Sequence, residues 1–291
     1  MIKESPGRRI FNVVNIIILA LLSLATFLPF LNVVGSSFAN SYEILERPFM
    51  LFPHDPTLLS YQYIFSTQTL PQSLLVSVFV TIVGTFVNLV MTIITAYPLA
   101  HPNLVGRRIL MNLILFTMLF SGGMIPSFIL VKNLGLIDSL ASLILPGAIN
   151  VYNMIVVKNF FQQLPRELEE AAKIDGAHEL YILGRIIIPL SMPVIATFTL
   201  FYAVGHWNSY FECLLYINDS NKWTVQILLR QMVMMASGIG SSEAMASESL
   251  ILPEEAVKMA TIVVSTLPIL VVYPFLQKYF AKGVLLGSVK G

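Results

Sequence analysis

Long apolar runs almost free of charge, near residues 10–34, 74–100, 109–131, 139–157, 186–211 and 259–277, leave this chain few ways to fold. Crossing roughly 30 Å of hydrocarbon takes about 20 helical residues, and each run is of that order. Apolar residues follow one another without the inside-outside alternation of a barrel strand, so the runs read as membrane-spanning helices. Only 11% of the residues are charged, against the roughly one quarter usual in a soluble domain. The expected fold class is therefore an all-α polytopic membrane protein of six transmembrane helices, one domain over 1–291. Prolines inside the runs, such as those at 29, 126, 146, 189, 193 and 268, are expected to kink or break them. The first run follows Arg8 and Arg9 as a signal peptide would. Its apolar core exceeds the usual length and no small-residue cleavage site follows, so it is read as a retained anchor.

The basic residues set an orientation. With the N-terminus in the cytoplasm, 12 of the 17 Lys and Arg residues fall in cytoplasmic connections and 5 in external ones. That bias follows the positive-inside tendency and predicts both termini in the cytoplasm. It also places the segment 160–189 and the tail 278–291 inside, and the segments 35–73 and 218–258 outside.

Signals for chemistry are missing. The sequence has no phosphate-binding glycine loop, no H-E-x-x-H, no G-x-S-x-G and no Cys/His cluster. No catalytic residue, metal site or bound cofactor is expected. The single Cys213 reads as a small apolar residue, and a net charge of +1 gives no sign of nucleic-acid binding. Uphill transport by such a chain needs an ion gradient or a separate subunit that hydrolyses nucleotide. A gradient-driven carrier keeps ionisable groups at membrane depth, and the middles of these runs have none.

One polar segment stands between two apolar runs: FFQQLPRELEEAAKIDGAHELYILGRIIIPL, residues 160–190. Leu164-Pro165 reads as a helix start, with Glu167, Glu169 and Glu170 near the positive end of its dipole. Asp175-Gly176 breaks that helix, and a second one runs from Ala177 towards Pro189. Ala171, Ala172 and Ala177 would let another protein's backbone come close, while Glu169, Glu170 and Asp175 offer charge-assisted bonds to its Arg or Lys. The alternative is an amphipathic loop on the lipid headgroups, held by Leu168, Ile174 and Leu180. Anionic headgroups favour Lys and Arg over this acidic cluster.

Glu170-Ala171-Ala172, Gly176 three residues on, Ile186 nine further, then Ile188-Pro189 resembles the EAA loop, E-A-A-x3-G-x9-I-x-L-P, of membrane subunits of bacterial ATP-binding-cassette importers. Ile188 replaces the usual Leu. Asp175-Gly176-Ala177 is the form common in the sugar branch, and the ending KGVLLGSVKG resembles MalG-like sugar permeases. FSGGMIP (120–126), Pro146 and AVGHWNSYF (203–211) resemble the LplC/YtcP-type subfamily, associated with oligosaccharides including plant and algal uronates. The resemblance implies a type I importer permease fold in the bacterial cytoplasmic membrane. Coupling helices at Glu169, Glu170, Ala171, Ala172, Asp175, Gly176 and Ala177 would dock into an ATPase dimer, with ATP and Mg on those partners. It further implies a MalF-like second permease chain and an extracytoplasmic sugar-binding protein. A permease for a non-sugar solute shares the architecture and stays open, as does the gradient-driven carrier.

His206, Trp207, Asn208 and Tyr210 form the most polar stretch within any run. An Asn and a His there must face protein or water, and Trp and Tyr offer flat faces to sugar C–H surfaces. A translocation path is the expected role; an interfacial aromatic belt is the competing one. Asn88, Asn112, Asn150 and Asn153 suit either that path or hydrogen bonds between helices.

Overall fold

The computed structural model describes residues 6–47, 49–236 and 254–288, and side chains over most of these. In chain order the α-helices are α1 (Pro6–Ser37), α2 (Ser41–Glu46), α3 (Leu59–Ser66), α4 (Thr69–Ala100), α5 (Arg107–Leu119), α6 (Met124–Asn133) and α7 (Val151–Phe161). There follow α8 (Glu167–Ile174), α9 (Glu179–Ile182), α10 (Ile188–Leu190), α11 (Met192–Trp207), α12 (Phe211–Tyr216), α13 (Val225–Ala236) and α14 (Glu254–Ser288). Short 3-10 turns lie at Leu140–Leu143 and Ser220–Lys222, and a π-helical turn at Leu183–Ile187 joins α9 to α10. No strand occurs among the described residues.

Three helical segments are continuous and apolar enough to span a bilayer: Gly7–Ser37, Thr69–Ala100 and Glu255–Pro274. Two further candidates are bent pairs, α5 with α6 at 114° and the stretch Glu179–Leu190 with α11 at 84°. The first bend falls where Phe120 turns extended ahead of Ser121-Gly122-Gly123. The second falls at Ser191, between Pro189 and Pro193, whose rings cannot continue the helical hydrogen-bond ladder.

The structure defines two of the expected segments more closely. The run 139–157 is not one helix. Pro146 and Gly147 interrupt it, and α7 starts afresh with Asn150 Oδ1 accepting from Asn153 N at 3.1 Å. At the other end, α14 continues as helix beyond 277 to Ser288 and so includes the first part of the tail. In the second external segment, Val225–Ala236 is helical as its apolar run suggests, while the small-residue stretch 238–247 lies outside the described residues.

The chain divides into two compact units, Met1–Leu70 with Leu229–Thr266, and Pro71–Leu228 with Leu267–Gly291. In the first, α1 exposes apolar residues along its length and none of its membrane-length window is buried, the pattern of a helix surrounded by lipid or by another membrane protein. Its C-terminal end is tied down: Asn32 Oδ1 accepts from Met50 N at 2.7 Å, and Ser37 Oγ and Tyr61 OH share a hydrogen bond of 2.7 Å.

The second unit has two apolar clusters. One joins Ala96, Tyr97 and Ala100 of α4 to Met154, Val157 and Phe161 of α7, to Ile182, Leu183 and Ile187, and to Phe198 of α11. The other packs Val80 against Leu143, Ile144, Cys213, Ile217 and Ile227. Near it Asp138, at φ 63°, staples two connections together. Its carboxylate accepts from Asn218 N at 2.8 Å and Asp219 N at 2.9 Å, and its carbonyl accepts from Lys222 Nζ at 2.8 Å. Asp tolerates this left-handed backbone better than most residues.

The backbone N–H groups of Asp219 and Asn218 hold the Asp138 carboxyl below the usual carboxylate range. A depressed folded pKa stabilises above the unfolded pKa, and that stability is lost as pH falls through the folded value. Asp138→Asn keeps the backbone tolerance but removes the charge. Its thermal midpoint in lipid nanodiscs should lie below wild type at neutral pH, with the gap closing below about pH 4.

Candidate functional site

The segment 160–189 folds into two short helices joined by a tight turn. Helix α8 places Glu167, Glu169 and Glu170 in its first turn. It ends in a Schellman motif. Ala177 N donates to Ala172 O at 2.9 Å, Gly176 N to Lys173 O at 3.0 Å, and Gly176 stands at φ 81°, which side-chain-bearing residues adopt at a cost. His178 Nδ1 then caps α9 by accepting from Tyr181 N at 2.9 Å.

This geometry sorts the motif residues by face. Glu170, Ala171, Asp175 and Gly176 are exposed, together with Leu168, Ile174 and Leu180. Ala172 and Ala177 turn inward and pack on the apolar cluster, so their smallness serves the chain's own packing. Glu169 also turns inward. Its Oε2 lies 3.5 Å from His101 Nε2 just past α4, an ion-pair distance not aligned for a hydrogen bond.

Glu179 holds a central place that sequence reasoning missed. It accepts from Tyr97 OH at 2.9 Å and pairs with Lys173 Nζ at 2.7 Å. The hydrogen bond to Glu179 holds the exposed Lys173 ammonium above its usual range. Two more side chains reach the last carbonyls of α4: Arg107 Nε donates to Leu99 O and Gln162 Nε2 to Ala100 O. A pocket of about 560 Å³ lies between this end of α4 and the loop, walled in part by Tyr97, His101, Arg166, Glu170 and Lys173.

The second feature is a polar cavity of about 610 Å³, within the roughly 300–1,000 Å³ of small-ligand sites. His206 and Asn208 of the expected path lie on its wall, with Asn88, Asn150 and Asn153, and with Ser127, Ser142, Tyr202, Glu212 and Tyr216. Trp207 does not. It is 5% exposed and faces a separate apolar pocket of about 210 Å³ beside α4 and α14, while Tyr210 is 41% exposed and outside the cavity lining. His206 and Trp207 are successive residues of α11 and point about 100° apart, which separates them, while Asn208 caps the helix and Tyr210 lies beyond it.

A buried network shapes the wall. Asn88, 3% exposed, donates through Nδ2 to Gly147 O at 3.0 Å and holds Oδ1 3.1 Å from His206 Nε2. With the amide so oriented, the imidazole nitrogen is the donor. A turn further along α4, Thr92 Oγ1 and Tyr202 OH share a hydrogen bond of 2.7 Å. Glu212, unremarked as a lining residue in the sequence, accepts from Ser209 Oγ at 2.7 Å. Its one signal was an acidic residue following the polar stretch.

Residues 88–286 match the model of the binding-protein-dependent transport system inner membrane component family. The chain belongs to that family. This permease is 54% identical over 288 residues to protein LplC of Bacillus subtilis, covering 99% of this chain and 97% of that one. It is 53% identical to the polygalacturonan/rhamnogalacturonan transport system permease protein YtcP of the same organism, over 97% of this chain and 99% of the relative. Among solved structures, it is similar to a chain from a bacterial ABC transporter involved in import of the acidic polysaccharide alginate. The TM-score is 0.89 at 32% identity, covering 96% of this chain and all of that one. The type I importer permease fold follows from the family and from this structure. The permease is a membrane transport subunit, not an enzyme, and ATP hydrolysis belongs to partner ATPases.

Gly84 tests the cavity wall. A Cβ there would lie 2.5 Å from His206 Nε2. Gly84→Ala should displace the imidazole from Asn88 and cost about 1–3 kcal/mol of stability. The double variant Gly84→Ala/His206→Ala should be destabilised by less than the sum of the single changes, a non-additivity read from thermal unfolding in nanodiscs.

Proposed function

We propose that this permease is one half of a heteromeric importer pore that translocates an oligosaccharide derived from plant or algal uronate polysaccharides, delivered by an extracytoplasmic binding protein. The observation that carries the reading is the whole-length likeness, at 53% identity, to a permease named for polygalacturonan and rhamnogalacturonan. The cavity supports it chemically. Its wall offers amides, hydroxyls and aromatic rings, which suit a hydroxyl-rich ligand, and among its lining residues Glu212 is the one carboxylate. Since that lining includes no Lys or Arg, the uronate charge would be met by water, the binding protein or the other half of the pore.

In this reading the chain crosses the bilayer six times, the broken stretch from Leu140 to Phe161 supplying the fourth crossing, with both termini in the cytoplasm. The exposed face Glu170, Ala171, Asp175 and Gly176 docks on an ATPase dimer that carries ATP and Mg, while Glu169, Ala172 and Ala177 hold that face in shape. A MalF-like chain completes the pore. The external segments 35–73 and 218–258 meet the binding protein. His206 and Asn208 face the passing sugar, and Trp207 and Tyr210 support that wall from outside the cavity.

The test is reconstitution of the importer in proteoliposomes with galacturonate oligomers as cargo. Glu170→Arg should release the ATPase on purification while membrane insertion persists. Asn208→Ala should keep the ATPase bound and lower uptake roughly tenfold. An ATPase retained in full by Glu170→Arg would overturn the docking face, and uptake unchanged in Asn208→Ala would remove that residue from the path.

A further inference from the structure

We infer that Tyr97 and Glu179 are positioning residues that transmit movement of the coupling loop to the cavity wall through α4, across space, and not along the chain that leads from the loop into α11. The inference rests on the docking role proposed for the loop. Besides its short link back to α7, two mechanical routes lead from that loop to the His206 side of the cavity wall. The covalent one passes through the π-helical turn Leu183–Ile187 and then an 84° bend at Ser191 before it reaches α11. Such interruptions are where helices flex, so a push at α8 is absorbed there.

The second route is α4, which stays one continuous helix from Thr69 to Ala100, the proline inside it, Pro98, lying in the last turn beyond Tyr97. Its cytoplasmic-side contacts and its cavity contacts lie on one rod. Tyr97 OH donates to Glu179, which Lys173 of α8 holds from the other side. Upstream on the same helix, Thr92 contacts Tyr202, Asn88 bridges Gly147 and His206, and Gly84 lies under the His206 ring. Tyr97 is 9 residues from Asn88, which at 1.5 Å per residue puts the two ends of the linkage about 14 Å apart. Apolar packing of Ile182 and Ile187 on Ala96 and Ala100 gives adhesion between loop and helix. It does not fix register along the contact. The hydrogen bond from Tyr97, a side chain 8% exposed, does.

Tyr97→Phe separates the two effects, because it keeps the ring in the cluster and removes only the hydroxyl. A reporter cysteine at Ser127→Cys, an exposed residue of the cavity wall, reads the cavity without any cargo, since the native Cys213 is buried. The whole importer in nanodiscs is labelled with a membrane-impermeant maleimide, nucleotide-free and after trapping with ATP and vanadate. With Tyr97 intact, trapping should change the labelling rate; with Tyr97→Phe, the ATPase should still co-purify and that change should shrink by roughly threefold to tenfold. Glu179→Gln, which weakens both bonds, should shrink it at least as much. A reporter indifferent to trapping with Tyr97 intact, or a Tyr97→Phe complex that responds fully, overturns the linkage. In the same assay, Glu170→Arg retaining the ATPase and the full labelling response would sink the docking reading itself, whatever Tyr97→Phe does.

Discussion

In hydrocarbon there is no water to satisfy a freed backbone N–H or C=O, and this one constraint organises the permease. Irregular backbone at membrane depth must be covered by protein or face a wet cavity. The break at 144–150 meets the condition in both ways. Asn88 donates to Gly147 O, Asn150 caps α7, and Pro146, Gly147 and Asn150 all line the polar cavity. The cavity and the broken helix are thus two aspects of one solution: the polar side chains that satisfy the backbone at the break also line the cavity. Helix α4 passes the same cavity as one continuous helix and contributes Asn88 to its wall.

The segment 160–189 meets a different requirement, that of a compact helix pair held against α4 and α7. Its Schellman turn satisfies the last carbonyls of α8 with backbone donors, and its inward alanines bring it close to α4 and α7. Charge then divides by face. Glu169 and Glu179 engage His101, Tyr97 and Lys173, while Glu170 and Asp175 remain exposed. One acidic run therefore serves internal fastening and outward display together.

Much of this was legible in the sequence, because membrane spans and short motifs act locally. Continuous apolar runs located α1 and α4, and the break at Asp175-Gly176 could be read from residue order. What escaped the reading depended on direction in space. The chemistry of Trp207 resembles that of its neighbours, yet the helical rotation sends it into an apolar pocket. Ala172 and Ala177 are as small as Ala171, and only the turn geometry shows that they face inward. Glu179 and Tyr97 are 82 residues apart, and no local signal joins them. The interruption of 139–157 was foreshadowed by Pro146, but a proline alone does not distinguish a kink from a full break.

Helix α1 carries an implication for how the protein is made. The membrane-length window of α1 has no buried residue, so within its own unit the helix is held at its C-terminal end, through Asn32 and Ser37, and little along its length. It can enter the bilayer as soon as it is synthesised, before any of the second unit exists, and wait there as an independent segment. Along that stretch its surface is left for lipid or another subunit to cover. Assembly of the importer, more than folding of this chain, is the step at which that part of the structure becomes specified.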